Sequence, residues 1–232
     1  MIKTVVFDFA DTIAKLVPSK ELLVQSFIKE KLNLEIPIKR IEETYFYIQN
    51  LYFYSSVQIK DSSSKSKFYQ EYNRKIFSNL GVLHLMEPFL DEFFEYFLKN
   101  KKHWILKEGV LELFKFIQAK DLKIGLISNF DTILIDILDH QLQIRDYFSY
   151  VHISQDIGLE KPNPDFYVDF LTKHNLKAEE ILYIGDNYEL DYLPSSTLGF
   201  KSVLLDEKLH YIDVETKLQR VNSLLDVKSI LF

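Results

Sequence analysis

The stretch Thr4-Val5-Val6-Phe7-Asp8-Phe9-Ala10-Asp11-Thr12 decides how the rest of the chain is read. Its β-branched and aromatic opening predicts a short buried strand, and the run stops at a carboxylate. Asp8 is therefore expected at a strand's carboxyl end. In open α/β sheets ligands bind at that edge, because neighbouring strands aim the same ends into one crevice. A plainer reading makes Asp8 a loop cap through an Asx-turn. The nonapeptide alone leaves both open.

Outward from Thr12 the apolar period changes from strand to helix and stays so through about ninety residues. Leu22, Leu23, Phe27 and Ile28 recur at helical spacing behind a Ser19 cap, and Ile41, Tyr45, Ile48 and Tyr52 mark a second segment. A third is expected around Phe68 to Leu80, and a fourth from Pro88 through Leu90, Phe93, Phe94 and Phe97. Helices with apolar faces and no intervening strands should bundle, so residues 15–103 are read as an all-helical insert. The Ser62-Ser63-Ser64-Lys65-Ser66-Lys67 tract is read as a solvated inter-helix loop.

From Glu108 onward helix and strand alternate. Val110-Leu111, Leu113-Phe114 and Ile117 form a helical stripe, and Lys123-Ile124-Gly125-Leu126-Ile127 is a strand ending at Ser128-Asn129. A helix from about Thr132 to His140 leads to a strand at Tyr150-Val151-His152-Ile153. Lys161-Pro162-Asn163-Pro164 starts the next helix, proline suiting a first turn that needs no donor. Ile181-Leu182-Tyr183-Ile184 runs into Gly185-Asp186, a helix crosses Asp191 to Leu198, and Lys201 to Leu205 closes the sheet. Such alternation predicts a parallel sheet covered by helices on both faces. The expected fold class is α/β: a Rossmann-like parallel-sheet core of five or more strands, residues 1–14 and 104–232, with an inserted four-helix bundle as a second domain.

With 232 residues, 47% hydrophobic and 27% charged, the chain can bury a sizeable core. The 19 Phe and 14 Tyr are expected chiefly in that core and at helix contacts. A net charge of −6 and a pI near 5.6 offer no basic stripe for nucleic acid. Zero cysteines exclude disulfides and thiol catalysis. The chain shows neither a secretory leader nor an apolar run long enough to span a bilayer, so a cytoplasmic protein without a membrane partner is the expectation.

Asp8, Ser128, Lys161 and the pair Asp186/Asp191 each fall at the carboxyl end of an expected strand or in the loop leaving it. Taken singly they have plain explanations: Ser128 as a turn residue, Lys161 as a solvated charge, Asp186 and Asp191 as helix caps. Together they describe a chemistry. A carboxylate nucleophile can make a covalent aspartyl intermediate that water later hydrolyses. Attack on a phosphoryl dianion needs a hard divalent cation in between, held by oxygen ligands such as Asp8 and Asp186. Lys161 would neutralise further charge, and Ser128 would donate to a transferring oxygen.

Asp8-Phe9-Ala10-Asp11-Thr12, Ser128-Asn129, Lys161-Pro162-Asn163-Pro164 and Gly185-Asp186-Asn187-Tyr188-Glu189-Leu190-Asp191 resemble the four ordered motifs of the haloacid dehalogenase superfamily. The helical insert resembles that superfamily's first type of cap domain. Ile127-Ser128-Asn129-Phe130-Asp131 and Gly185-Asp186-Asn187-Tyr188 with Asp191-Tyr192 are similar to its branch of haloacid dehalogenase-like hydrolase domain-containing protein 3 and rhythmically expressed gene 2. The resemblance implies Mg²⁺ held by Asp8, the Ala10 carbonyl and Asp186, with Asp191 supporting Asp186 or Lys161. It implies Ser128, Asn129 and Lys161 as substrate-binding residues, with Asp8, Ser128 and Lys161 catalytic.

One position departs from the pattern. Phosphatase branches carry a second Asp two residues after the nucleophile, as acid and base; here it is Ala10. Such a group contributes about 10²–10⁴ in rate. Asp11 is not expected to replace it, since alternate residues of an extended strand face opposite ways, and capping the following turn is its simpler role. Phosphonoacetaldehyde hydrolases also have Ala there, but need a cap lysine, for which Lys29, Lys31 and Lys39 are candidates. Arg40 could meet an anion or lie on a solvated helix face. The expected function is hydrolysis of a small phosphorylated or otherwise anionic substrate through Asp8 and Mg²⁺. A non-catalytic metal or phosphometabolite binder and a 2-haloacid dehalogenase-like or phosphonatase-like enzyme are the alternatives.

Overall fold

The computed structural model describes residues 1–52, 62–100, 103–211 and 218–231, with the side chains at 50–52, 62–66 and 98 outside that description. The chain divides into two compact units, Met1–Leu16 with Trp104–Phe232, and Val17–His103.

The first unit is built on strands β1 (Thr4–Phe7), β4 (Lys123–Ser128), β5 (Tyr150–Ile153), β6 (Ile181–Gly185), β7 (Lys201–Leu205) and β8 (Arg220–Val221), in the order β5-β4-β1-β6-β7-β8. All neighbours are parallel, and β1 lies between β4 and β6, with Phe7 opposite Leu126 on one side and Ile184 on the other. All four residues of β1 are buried, as a strand covered on both faces requires. Val5 and Phe7 pack into one layer with Leu113, Phe114 and Leu138, while Val6 faces the other with Phe166, Phe170 and Tyr183. The pleat thus assigns alternate side chains of one short strand to two helix layers.

The expected parallel α/β sheet is present, with one strand beyond Leu205. Two-residue β8 is too short to carry a period, and Arg220 joins it to the preceding loop through Asp206 Oδ2 at 3.4 Å and the Tyr211 carbonyl at 2.7 Å. A second departure lies at the insert's base. Ala14–Val17 (β2) and His103–Leu106 (β3) form a two-stranded ribbon where continuous helical structure was expected. Helices also break where wide π-type turns intervene, at Ile137–Gln141 and Tyr188–Tyr192.

In the second unit the principal helices are Lys20–Leu32, Ile38–Tyr52, Ser62–Asn79 and Leu90–Lys99. The Ser19 hydroxyl caps the first by accepting from the Leu22 N–H at 3.3 Å, and Asn33 ends it in the left-handed conformation. Leu22, placed on the apolar stripe by spacing, is 46% exposed, whereas Leu23, Phe27 and Ile28 are buried. Phe93 joins the bundle's layers, with ring centroids 5.1 Å from Phe27 and 5.2 Å from Phe77. The serine-lysine tract opens the helix Ser62–Asn79 instead of forming a loop. Among the described residues no helix is long and apolar enough to cross a membrane.

Candidate active site

Three site residues follow directly from strand order. Ser128 ends β4, Asp8 follows β1, and Asp186 follows β6, so three adjacent parallel strands deliver them to one edge. The Asp8 N–H donates to the Ile184 carbonyl at 2.9 Å, which prolongs the β1–β6 ladder up to the carboxylate. Lys161 arrives from the loop before the helix Pro164–His174, whose first turn Asn163 caps by accepting from the Asp165 N–H. Asn129 fixes that loop: its Nδ2 donates to the Lys161 carbonyl at 2.9 Å, and the Lys161 N–H donates to its Oδ1 at 2.7 Å. Asn129 thus reads the main chain of Lys161 at both ends of its amide.

The Lys161 ammonium donates to Asp8 Oδ1 at 2.5 Å and to Asp191 Oδ1 at 2.6 Å, and all three side chains are buried. Burial by itself would lower the lysine's pKa, but Asp191 and Asp8 more than offset this and hold it above its ordinary value. Asp8 is pushed up to about 6, chiefly by burial and further by Asp191, against the pull of Lys161. Asp186 is raised well above the usual carboxylate range by burial, then by Asp11, Asp8 and Asp191. The Thr12 hydroxyl, donating to Asp186 Oδ1 at 2.9 Å, acts in the other direction.

Carboxylate oxygens of Asp8, Asp186 and Asp191 lie within 4.8 Å of one another. Three acidic side chains crowd one ammonium in a largely dry site, the crowding that helps to raise Asp186, and the donors are all oxygen. This donor set fits a hard divalent cation such as Mg²⁺. Asp191 is already engaged on both oxygens, Oδ1 by Lys161 and by the Tyr183 hydroxyl at 2.9 Å, Oδ2 by the Asn187 N–H at 3.1 Å. Its contacts make it the lysine's clamp, which leaves Asp8 and Asp186 as the more available carboxylates. The sequence left open whether Asp191 supports Asp186 or Lys161; the direct bond is to Lys161.

Gly185 makes that clamp possible. A Cβ there would overlap the Asp191 side chain, so only glycine lets the carboxylate close over the end of β6. Ala10 is half-buried and bridges to Ala14. Asp11 has a left-handed φ of 60° and donates its N–H to the Ala14 carbonyl at 2.8 Å. The turn after it leads into β2, so it caps no helix. Its charge bears instead on Asp186.

Reasoning from sequence missed Tyr183, Thr12 and Gly185 as working parts. Thr12 and Gly185 stood inside the quoted motifs, whereas Tyr183 lies in an apolar strand and carries no polar signature. In the helical unit Arg40 donates to the Leu80 carbonyl at 3.1 Å, closing the end of a neighbouring helix. Lys29, Lys31 and Lys39 pair with Glu35, Glu30 and Glu92, and Glu43 respectively.

A model of the haloacid dehalogenase-like hydrolase family matches residues 2–194. Over 120 residues, 52% of this chain and 47% of the relative, the sequence is 32% identical to haloacid dehalogenase-like hydrolase domain-containing protein 3 of Mus musculus. Over 99 residues, 43% of each chain, it is 35% identical to glyceraldehyde 3-phosphate phosphatase of Methanocaldococcus jannaschii. The matches span less than half the length of these curated relatives. Among solved structures, the magnesium-bound HAD-hydrolase YfnB of Bacillus subtilis superposes with a TM-score of 0.67 at 18% identity, covering 99% of this chain and 98% of that one. That likeness concerns the fold.

Proposed function

This chain belongs to the haloacid dehalogenase-like hydrolase family, and on that premise we propose that it is a Mg²⁺-dependent hydrolase of a small phosphorylated metabolite, with Asp8 as nucleophile. The observation that carries this reading is the buried set in which Lys161 bridges Asp8 and Asp191 beside Asp186. The phosphatase name of the archaeal relative and the magnesium bound in the Bacillus structure point the same way.

Asp8 attacks phosphorus, the bond to the leaving oxygen breaks, and the leaving group departs with its electron pair. Water then attacks the phosphorus of the aspartyl phosphate and regenerates the Asp8 carboxylate with release of phosphate. Asp8, the Ala10 carbonyl and Asp186 would hold Mg²⁺, which when bound offsets the repulsion between carboxylate and phosphoryl oxygens. Lys161 keeps its proton throughout and offsets charge on the transferring group. Ser128 donates to a phosphoryl oxygen, and Asn129 serves by holding the Lys161 main chain. At Ala10 no side chain can protonate the departing oxygen, so acyl and aryl phosphates, whose leaving groups need no proton, are the preferred substrates.

The crowding of Asp8, Asp186 and Asp191 around one ammonium favours a cation there and counts against dehalogenation without metal. Among the candidate lysines, Lys31 is held above its ordinary pKa by Glu92 and Glu30, opposite to what a nucleophilic amine requires, which counts against that residue in a Schiff-base route. The second reading, a metal or phosphometabolite binder without turnover, is favoured by Ala10 alone.

The test is a panel of acyl and aryl phosphates assayed with Mg²⁺, with EDTA, and with Asp8→Asn. Turnover that needs Mg²⁺ and disappears in Asp8→Asn is expected. Activity surviving in that variant would remove Asp8 from its role, and binding of Mg²⁺ and phosphate without turnover anywhere on the panel would favour the second reading.

A further inference from the structure

Tyr183 sits in the middle of β6, fully buried, between apolar neighbours. Its ring meets Tyr167 and Phe200 edge-on, with centroids 5.8 and 6.2 Å away, and a phenylalanine would fill that space equally well. The hydroxyl therefore needs a separate account, because taking a phenol out of water costs free energy unless it is hydrogen-bonded. Its partners are Asp191 Oδ1, to which it donates at 2.9 Å, and Lys161 Nζ, which approaches its oxygen at 3.4 Å. Asp191 Oδ1 is also the atom that accepts from Lys161 at 2.6 Å.

We propose that Tyr183 is a positioning residue, whose hydroxyl closes a triangle with Asp191 and Lys161 and so fixes the ammonium that faces Asp8. The donor directions are consistent: Lys161 gives one proton each to Asp8, Asp191 and the phenol oxygen, and the phenol gives its own to Asp191. An ammonium is a compact donor on a flexible stem, so one carboxylate contact would leave it free to swing. Contacts in three directions arrest it. The rest of the network holds Asp191 from below, since Ser195 donates to its carbonyl at 2.5 Å and shares a 2.7 Å hydrogen bond with Ser202. This inference rests on the role given to Lys161 above and deepens it.

Tyr183→Phe deletes the hydroxyl and keeps the ring. Its kcat is expected to fall about tenfold, with KM and the Mg²⁺ requirement changed less than about twofold and thermal stability near that of the parent. A purely structural role would lower stability and the folded fraction but leave kcat per folded molecule unchanged. A second readout needs no activity. In ¹⁵N-lysine-labelled protein, the protected ammonium signal of Lys161, assigned by its loss in Lys161→Arg, should broaden or vanish in Tyr183→Phe through faster exchange with water. An unchanged Lys161 signal would overturn the proposal even if kcat fell, and so would an unchanged kcat in a protein that turns over. If the parent turns over nothing, the nucleophile reading fails by itself, while the ammonium signal still decides the role of Tyr183.

Discussion

Lys161 and His152 are both basic side chains buried in the α/β unit, yet one keeps its proton against burial and the other gives it up. Lys161 has two carboxylates at hydrogen-bond distance. His152 has a carbonyl, that of Phe166 at 3.1 Å, and its nearest carboxylate, Asp169, stays 3.7 Å away. Burial lowers its pKa to about 4, and neither the carbonyl nor Asp169 compensates. Around His152 several buried polar atoms lack hydrogen bonds, namely His152 Nδ1, Asp169 Oδ2 and His174 Nε2. The crevice thus keeps its buried base charged, and the layer under β5 keeps its own neutral. The difference is one of partners and distance, since burial is shared.

The largest effect is expected from Lys161→Met. It leaves Asp8 and Asp191 facing each other without a counter-charge, and removing one partner of a buried pair costs about 3–5 kcal/mol. Urea unfolding measures that loss, and Mg²⁺ should recover part of it by mass action. Loss of under about 1 kcal/mol would place the pair with exposed ion pairs, which contribute little.

Next comes Ala10→Asp, which adds a carboxylate to the acidic side of the comparison. It should raise kcat on alkyl phosphates by about 10²-fold, the low end for a positioned acid and base, while lowering stability when no divalent cation is present. Initial rates on paired alkyl and aryl phosphates check this, and an equal change for both classes would show that the missing proton donor is not what separates them.

The His152 side of the comparison is read from pH. The unfolded chain takes up a proton near 6.5 and the folded protein only near 4, so this stability is complete above 6.5 and declines as pH falls between those values. The full decline amounts to about 3 kcal/mol. Asp8 acts in the opposite sense, because its raised folded pKa imposes a cost above about 6 that is relieved as pH falls toward 3.8. The parent must therefore be compared with His152→Phe, which keeps the stack on Phe166. The gap between their unfolding free energies should shift in favour of the variant as pH falls, and a constant gap would mean that His152 takes up its proton equally in both states. Smallest of all, Asp169→Asn should change stability by no more than about 0.5 kcal/mol at neutral pH, since the imidazole it faces is uncharged; denaturant midpoints suffice to test it.

The sequence makes one half of this contrast easy to read. Asp8, Ser128 and Asp186 are legible because an apolar strand stopping at a polar residue announces its own carboxyl end, and parallel order then brings such ends together. Lys161 is harder, since a loop lysine carries no period, and it was singled out by its place in an ordered set. Tyr183 is invisible for the opposite reason: a tyrosine in a buried strand reads as packing, and only the position of Asp191 shows what its hydroxyl does. The same limit hides His152, whose neutrality follows from burial with its nearest carboxylate 3.7 Å away, a placement that no spacing rule encodes. In the fold, β2 and β3 escaped because, unlike the equally short but fully buried β1, they are only partly covered and form no buried apolar run, β8 escaped because two residues carry no period, and Leu22 was misplaced because its helix buries a narrower stripe than the apolar spacing suggested.

Asp8 itself is tested most directly by acid-quenching the protein during Mg²⁺-dependent turnover of an acyl phosphate and weighing the peptide that carries it. A phosphoryl mass increment on that peptide, absent from Asp8→Asn, is the predicted result. Sustained turnover with the peptide unmodified, or with the increment on a different residue, would contradict it.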